Sequence, residues 1–283
     1  MMIIKTLLRE AEDRLRKADV PDAYAKYVLN ELLLNQERNL YLELDQDLDE
    51  PTLARFNAMM DRLMTQEPLA YVLGYQVFLG YPIEVNPSVL IPRPETEELV
   101  LQVLMTLDET LADVKHPRLI DIGTGSGAIA IALKKEEPRL EVLASDISEA
   151  ALNQAQHNAK QLDASITWLL GSLAQPLIDR NERVDVIVCN PPYIPQNETI
   201  EVSVKDFEPH VALFGGEDGL DFYRQVLDQA PSVLNHPGFI AFEIGWNQKD
   251  ALTKEAKRRF PESEVTCYPD MAGKDRILII KNK

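Results

Sequence analysis

Arg118-Leu119-Ile120-Asp121-Ile122-Gly123-Thr124-Gly125-Ser126-Gly127-Ala128 passes from an apolar run through three alternating glycines into the helical pattern Ile129–Lys135. A short apolar run that ends at glycine reads as a strand buried on both faces. Glycines let the chain turn tightly and approach a ligand closely. The helix that opens behind them offers unpaired N–H groups to a carboxylate or phosphate. Outward from this stretch, strand patterns recur at Arg118–Ile122, Glu141–Ser145, Ile166–Leu170, Val184–Cys189, Gly238–Ile244, Glu264–Tyr268 and Arg276–Lys281, with helical patterns between most of them. That alternation predicts an α/β fold: a doubly wound, mostly parallel, Rossmann-like sheet of seven strands with ligands at the carboxyl ends.

The first part of the chain obeys a different period. Ile4, Leu8, Ala11 and Leu15 form one helical face, and Pro21-Asp22 opens a second helix carrying Ala25, Val28, Leu29, Leu32 and Leu33. Leu40, Leu42 and Leu44 suggest a further element. Asp49-Glu50-Pro51 is a helix start ahead of Leu53, Phe56, Met60 and Leu63. Residues 1–74 therefore read as a helical bundle. In 75–92 the period changes, and Gln76–Leu79 and Pro82–Val85 around Gly80-Tyr81 predict a β-hairpin linker. Residues 93–283 form the α/β domain, entered through the stiff Ile91-Pro92-Arg93-Pro94 and an acidic helix from Glu95.

Composition bounds the function. Lys and Arg number 29 against 46 Asp and Glu, a net charge of −17 that argues against direct nucleic-acid binding and suits a basic protein partner. Cys189 and Cys267 give no disulfide framework or zinc spacing, and the four histidines are scattered, so no metal site is expected. Beside Asn190, Cys189 invites a nucleophile reading, but strand alternation favours a packed thiol. The start of the chain reads as neither signal peptide nor membrane span, and a cytoplasmic protein is expected.

The chemistry concentrates at the strand ends. The Gly123–Gly127 loop alone fits either a dinucleotide or S-adenosylmethionine. Asp146, about 20 residues on, is placed to accept the ribose hydroxyls of either, with Ser148 free to cap the next helix. Ser172, after the third strand, is a candidate for the adenine edge. The fourth strand ends in Asn190-Pro191-Pro192-Tyr193. Each proline fixes φ and removes a backbone donor, so the turn is stiff and rich in acceptors. The Asn190 side-chain oxygen and the Pro191 carbonyl together suit a planar –NH2 group, with Tyr193 as a flat face beside them. Hydride transfer has no use for such a pair, whereas methyl transfer to nitrogen does. A carboxamide nitrogen is a weak nucleophile; two acceptors aim it and favour the positive charge that develops on it.

The chain resembles the bacterial N5-glutamine methyltransferases that modify class I peptide chain release factors. The resemblance runs nearly end to end. It is carried by Gln66–Gly74, Phe78-Leu79-Gly80, Val89–Glu97, the Gly123–Gly127 loop, Asp146, Asn190–Tyr193, Phe207-Glu208-Pro209, Ala212–Gly216 and Phe242-Glu243-Ile244-Gly245. Asn-Pro-Pro-Tyr alone also occurs in DNA-adenine and ribosomal RNA methyltransferases; the Ile91–Glu97 segment makes the protein-glutamine reading more specific. The resemblance implies a class I S-adenosylmethionine-dependent methyltransferase domain behind a substrate-recognition bundle. It implies a cofactor held by Gly123, Thr124, Gly125, Ser126, Gly127, Asp146, Ser172 and Asn190. The substrate would be the glutamine of the release factor's Gly-Gly-Gln loop, gripped by Asn190, Pro191, Pro192 and Tyr193, in support of translation termination. At Ser172 the chain departs from the family, which often carries an acid there. Other readings are a ribosomal-protein glutamine, a nucleobase amino group, or a nicotinamide dehydrogenase that leaves Asn190–Tyr193 idle.

Overall fold

The computed structural model describes residues 3–198 and 201–282, and they divide into two compact units. The smaller runs through Tyr75 and includes the short helix Val202–Phe207. Its helices are α1 (Ile4–Lys17), α2 (Ala23–Leu34), α3 (Glu50–Met64) and α4 (Leu69–Leu73). Helix α1 buries Ile4, Leu7, Leu8, Ala11 and Leu15, the face that the apolar spacing predicts with Leu7 added. These side chains share one core with Val28, Leu29 and Leu32 of α2 and Phe56, Met60 and Leu63 of α3. Asp49 caps α3, its carboxylate accepting from the Thr52 amide at 2.9 Å, with Pro51 in the first turn. A cap of this kind is worth about 1 kcal/mol. The expected element at Leu40–Leu44 is only a 3-10 turn, Leu40–Leu42. Its tighter winding buries Leu40 and leaves Leu42 80% exposed, so Leu42 is not a core residue.

The larger unit begins at Gln76. Strands β1 (Tyr75–Phe78) and β2 (Tyr81–Glu84) pair across Leu79 and Gly80, both at positive φ. The turn thus falls one residue earlier than the sequence pattern predicts, because a two-residue hairpin turn of this hand needs positive φ at both positions. The remaining elements follow as α5 (Pro94–Leu111), β3 (Arg118–Ile122), α6 (Ala128–Glu136), β4 (Glu141–Asp146), α7 (Glu149–Gln161), β5 (Ile166–Leu170), α8 (Gln175–Asp179) and β6 (Val184–Cys189). After α9 (Val202–Phe207) come α10 (Asp221–Val233), β7 (Leu234–Glu243), α11 (Lys249–Arg259), β8 (Glu264–Pro269) and β9 (Asp275–Asn282).

The seven strands are ordered β5-β4-β3-β6-β7-β9-β8, with β9 antiparallel to both neighbours and all other pairs parallel. Strand β7 starts four residues before the predicted Gly238, because Leu234 pairs with Val184 ahead of an irregularity that resumes at Val186↔Phe239. One face packs Ile120, Ile122, Ile187 and Phe242 against Tyr223, Val226 and Leu227 of α10 and Leu252 and Ala256 of α11. Helices α5 and α6 contact β7, β3 and β4 on the other. Connections from β3 lead one way to β4 and β5 and the other way to β6 and β7. The β3/β6 boundary is therefore the topological switch point, where open α/β sheets form a crevice outside the strand ends.

Candidate active site

Parallel register brings the predicted residues to one rim. Ile122 pairs with Ser145 on one side and Cys189 on the other, so Gly123, Asp146 and Asn190 leave the sheet at the same level. The glycine loop is tied to the neighbouring strand. The amides of Gly123 and Thr124 donate to the Ser145 carbonyl at 2.8 and 3.0 Å, and Gly125 N–H donates to the Asp146 carboxylate at 2.9 Å. Gly123 and Gly125 both hold positive φ, and beyond each Cα position lies open space. Gly127 also holds positive φ and has a second reason to be glycine: a Cβ there would sit 3.0 Å from the Ala155 methyl, so it sets how closely α6 and α7 pack.

Asp146 also accepts from Ser148 N–H at 2.9 Å, while the Ser148 hydroxyl accepts from Ala151 N–H and caps α7. Two backbone donors fix the plane of the Asp146 carboxylate, and each oxygen keeps acceptor capacity for a hydroxyl. Asp121, which the sequence did not single out as a site residue, is fully buried directly beneath the loop. The Thr124 hydroxyl donates to its Oδ2 at 2.6 Å, and Oδ1 has no hydrogen-bond partner among the described residues. Burial pushes its carboxyl up to about 7, against the pull of Thr124 and the Ala130 amide. The signal available was a lone acid inside an otherwise apolar strand.

The Asn190 turn is built from three distant segments. Cys189 pairs with Phe242 across β6 and β7, so Asn190 and Glu243 leave the sheet side by side. Asn190 Nδ2 donates to the Thr96 hydroxyl at 3.1 Å, and that hydroxyl donates to Glu243 at 2.6 Å. Gln248 donates to the Tyr193 carbonyl at 3.1 Å and to the Gly219 carbonyl at 3.3 Å. Ile194 N–H donates to Leu213 O and Gly215 N–H to Ile194 O, so the chain after the turn pairs with the Leu213–Gly215 segment. Glu208, itself buried, pairs with Arg93 and accepts from Ile91 N–H at 3.2 Å, which holds the Pro92-Arg93-Pro94 approach in place.

A partly open cleft lies over this rim. Gly123, Gly125, Asp146, Ser172, Asn190, Pro191 and Pro192 line it, with Ile147, Leu173 and Phe222 as apolar walls. Thr124, Ser126, Gly127 and Tyr193 do not. Thr124 braces Asp121, and the Ser126 carbonyl accepts from Asn158. Tyr193 packs half-buried against the core, and burial raises its hydroxyl to about 12. Cys189 is a buried thiol with its pKa pushed well up by burial, and so is no nucleophile. The cavity suits an adenosyl cofactor: apolar walls for a base, an oriented carboxylate for ribose hydroxyls, and an unpartnered buried oxygen behind a backbone that leaves room for a ligand. Among the described residues no group of three or more potential metal ligands clusters.

Residues 6–74 match the family model "PrmC N-terminal domain", and residues 101–208 match "Methyltransferase small domain". A release factor glutamine methyltransferase of Bacillus cereus is 37% identical over 279 residues, covering 98% of each chain. The chain belongs to the release factor glutamine methyltransferase family. A Staphylococcus aureus enzyme of the same description is 33% identical and covers 99% of this chain and all of its own. Among solved structures, the catalytic domain of human Mettl16 bound to an RNA hairpin superimposes with a TM-score of 0.56 at 17% identity, over 87% of this chain and 85% of that one. A methyltransferase from Pyrococcus furiosus gives 0.52 at 19% identity, over 83% and 99%. At that distance the structural likeness shows the fold alone, the α/β fold of class I methyltransferases, and the full-length relatives show the family.

Proposed function

We propose that this enzyme transfers the methyl group of S-adenosylmethionine to the side-chain amide nitrogen of the glutamine in the Gly-Gly-Gln loop of class I peptide chain release factors. The carrying observation is the parallel register that sets Asn190 and Pro191 on the same rim as Gly123 and Asp146. Asp146 would hold the ribose hydroxyls, Gly123 and Gly125 would admit the cofactor close to the backbone, and Leu173 with Ser172 would border the adenine. Bound S-adenosylmethionine supplies an electrophilic methyl on sulfur. The chain supplies position. Asn190 Nδ2 is already committed to Thr96, so the amide presents Oδ1 to the cavity. That oxygen and the Pro191 carbonyl accept the two N–H bonds of the substrate amide and point its nitrogen along one line. They also favour the positive charge that grows on nitrogen as the new bond forms. The amide proton leaves after transfer, so no strong base is required beside the nitrogen. Pro191 and Pro192 keep the two acceptors rigid, which is how a weak nucleophile gains rate from alignment.

Residues 1–74 we assign to release-factor recognition away from the reacting loop, and the net charge of −17 favours a basic partner over nucleic acid. No described helix is long and apolar enough to cross a membrane. The test is Asn190→Ala with a release factor as substrate. Turnover is expected to fall at least ~10²-fold, the cost of misplacing a reacting group, while calorimetric affinity for S-adenosylmethionine changes far less. Wild-type turnover in that variant would remove the mechanism.

A further inference from the structure

Asn190 works in this scheme only if its carboxamide presents oxygen to the substrate, and an amide has two nearly isosteric ends. Turned over, it would offer an N–H to another N–H and repel the group it has to hold. Something in the structure must choose the end. The choice is made behind Asn190, by a hydroxyl and a carboxylate from residues that do not line the cavity.

Thr96 sits in the first turn of α5 and is 4% exposed; Glu243 ends β7 and is 2% exposed. Asn190 Nδ2 lies 3.1 Å from Thr96 Oγ1, and Thr96 Oγ1 lies 2.6 Å from Glu243 Oε2. An ionised carboxylate only accepts, so the single Thr96 proton goes to Glu243. The Thr96 oxygen then has only lone pairs to offer, and the Asn190 end that meets it must be the N–H2. Resting on the reading of Asn190 as amide acceptor, we propose that Thr96 and Glu243 are positioning residues that hold the Asn190 carboxamide with Oδ1 toward the substrate.

The direction of the chain depends on charge. A protonated Glu243 donates to Thr96, whose own proton is then available to Asn190 Oδ1, and the amide is free to turn. Groups around Glu243 set where that happens. Burial pushes its carboxyl up to about 7, the Thr96 bond, Arg276 on β9 and Arg93 before α5 pull it down, and Glu95 pushes it up. The Tyr193 ring lies nearby after β6, and the Tyr223 hydroxyl on α10 donates to the Glu243 main-chain carbonyl at 2.8 Å. Neither tyrosine ionises near neutrality, since burial raises both hydroxyls.

The test uses the full-length enzyme, a purified release factor and S-adenosylmethionine, with Asn190→Ala, Thr96→Val, Thr96→Ser and Glu243→Gln, each first titrated calorimetrically with cofactor. Thr96→Val keeps the shape and removes the hydroxyl. It is expected to lower kcat about tenfold or more with the substrate KM and cofactor affinity nearly unchanged, a split that misalignment produces and loss of fold does not. Thr96→Ser is expected to recover most of that kcat. Wild type is expected to lose kcat on the acid side with an apparent pKa near 7. Glu243→Gln, which accepts or donates at any pH, is expected to lose that limb and run at a uniformly low kcat. Wild-type kcat in Thr96→Val, or an acid limb retained in Glu243→Gln, would overturn the inference. If Asn190→Ala also keeps its turnover, the amide-acceptor reading itself fails; if Asn190→Ala is inactive and Thr96→Val is not, only the positioning role fails. Should Glu243→Gln not bind cofactor, the Val and Ser pair at Thr96 decides.

Discussion

A single methyl group behind the Asn190 turn would disable it. Gly215 lies against the back of that turn, and an ideal Cβ built on it falls 2.4 Å from the Pro192 carbonyl oxygen and 2.8 Å from the Gly219 carbonyl oxygen. Both obstacles are backbone, so no flexible side chain can swing aside. Real Cβ atoms do not come closer than 3.0 Å, so Gly215→Ala forces at least 0.6 Å of movement between the two segments. The Leu213–Gly215 segment is pinned by its pairing with Ile194, and two prolines stiffen the turn. The displacement therefore passes to the Pro191 carbonyl and Asn190. Overpacking of this kind costs about 1–3 kcal/mol of stability. A misplacement approaching 1 Å at the reacting groups costs about 10²-fold in rate, so a loss of about 10- to 10²-fold in kcat is expected for Gly215→Ala. The assay is the initial rate of labelled methyl transfer to a release factor, beside urea unfolding monitored by fluorescence. Gly80→Ala is the control. Gly80 sits at φ +81° with nothing within 4 Å of the added carbon, so an alanine there meets torsional strain without a clash. It should lose about 1 kcal/mol of stability and keep its kcat. Wild-type kcat in Gly215→Ala, or equal loss in Gly80→Ala, would refute the reasoning.

Asp146→Ala removes an acceptor of the Gly125 and Ser148 amides as well as the candidate ribose ligand. Hydrogen bonds to a charged group are worth about 1.5–3 kcal/mol, so calorimetry should find S-adenosylmethionine binding weakened about tenfold or more, and unchanged affinity would contradict the assignment. Asp121 and Glu243 both bind a proton more tightly folded, near 7, than their ordinary values of 3.8 and 4.5. Their penalties are absent below the unfolded values, grow as pH rises toward 7, and are fully present above it. Stability should therefore fall across that window, and Asp121→Asn should flatten part of the fall in urea titrations taken at several pH values; an unaltered slope would rule Asp121 out as a source. Arg93→Ala leaves the Glu208 carboxylate buried without its ion pair and should cost about 3 kcal/mol in unfolding free energy, whereas a change below about 0.5 kcal/mol would show that the pair is not structural.

What the sequence revealed, and what it hid, follow from the range of the forces involved. The β3, β4 and β6 strands were legible because central parallel strands are apolar on both faces, and the more exposed edge strand β5 was marked by a short apolar run that stops at Gly171. The rim followed from them: once strands are parallel, the residues just beyond their ends must share a level, which placed Gly123, Asp146 and Asn190 together. Errors arose where one residue of phase matters. The β1/β2 turn uses Leu79-Gly80, since handedness, invisible to hydropathy, selects the pair with positive φ. Leu42 spoiled the expected Leu40–Leu44 element because a 3-10 turn does not repeat at the α-helical period. The supports of Asn190 were not legible as supports. Thr96 and Glu243 are 147 residues apart, and Ile91 and Glu208 are 117 apart. Their segments stood out by resemblance, but no local pattern says that a hydroxyl in one helix turn meets a carboxylate at the end of a late strand. Gln248 carried no signal, although it ties the Tyr193 carbonyl to the Gly219 loop.

The most direct test of the central claim is mass spectrometry of the Gly-Gly-Gln peptide from a class I release factor after incubation with this enzyme and S-adenosylmethionine. The mechanism predicts one added methyl group, located by fragmentation on the glutamine side-chain nitrogen and absent when Asn190→Ala replaces the wild type. An unmodified glutamine with an active cofactor-bound enzyme, or a methyl group on any other residue of the peptide, would contradict it.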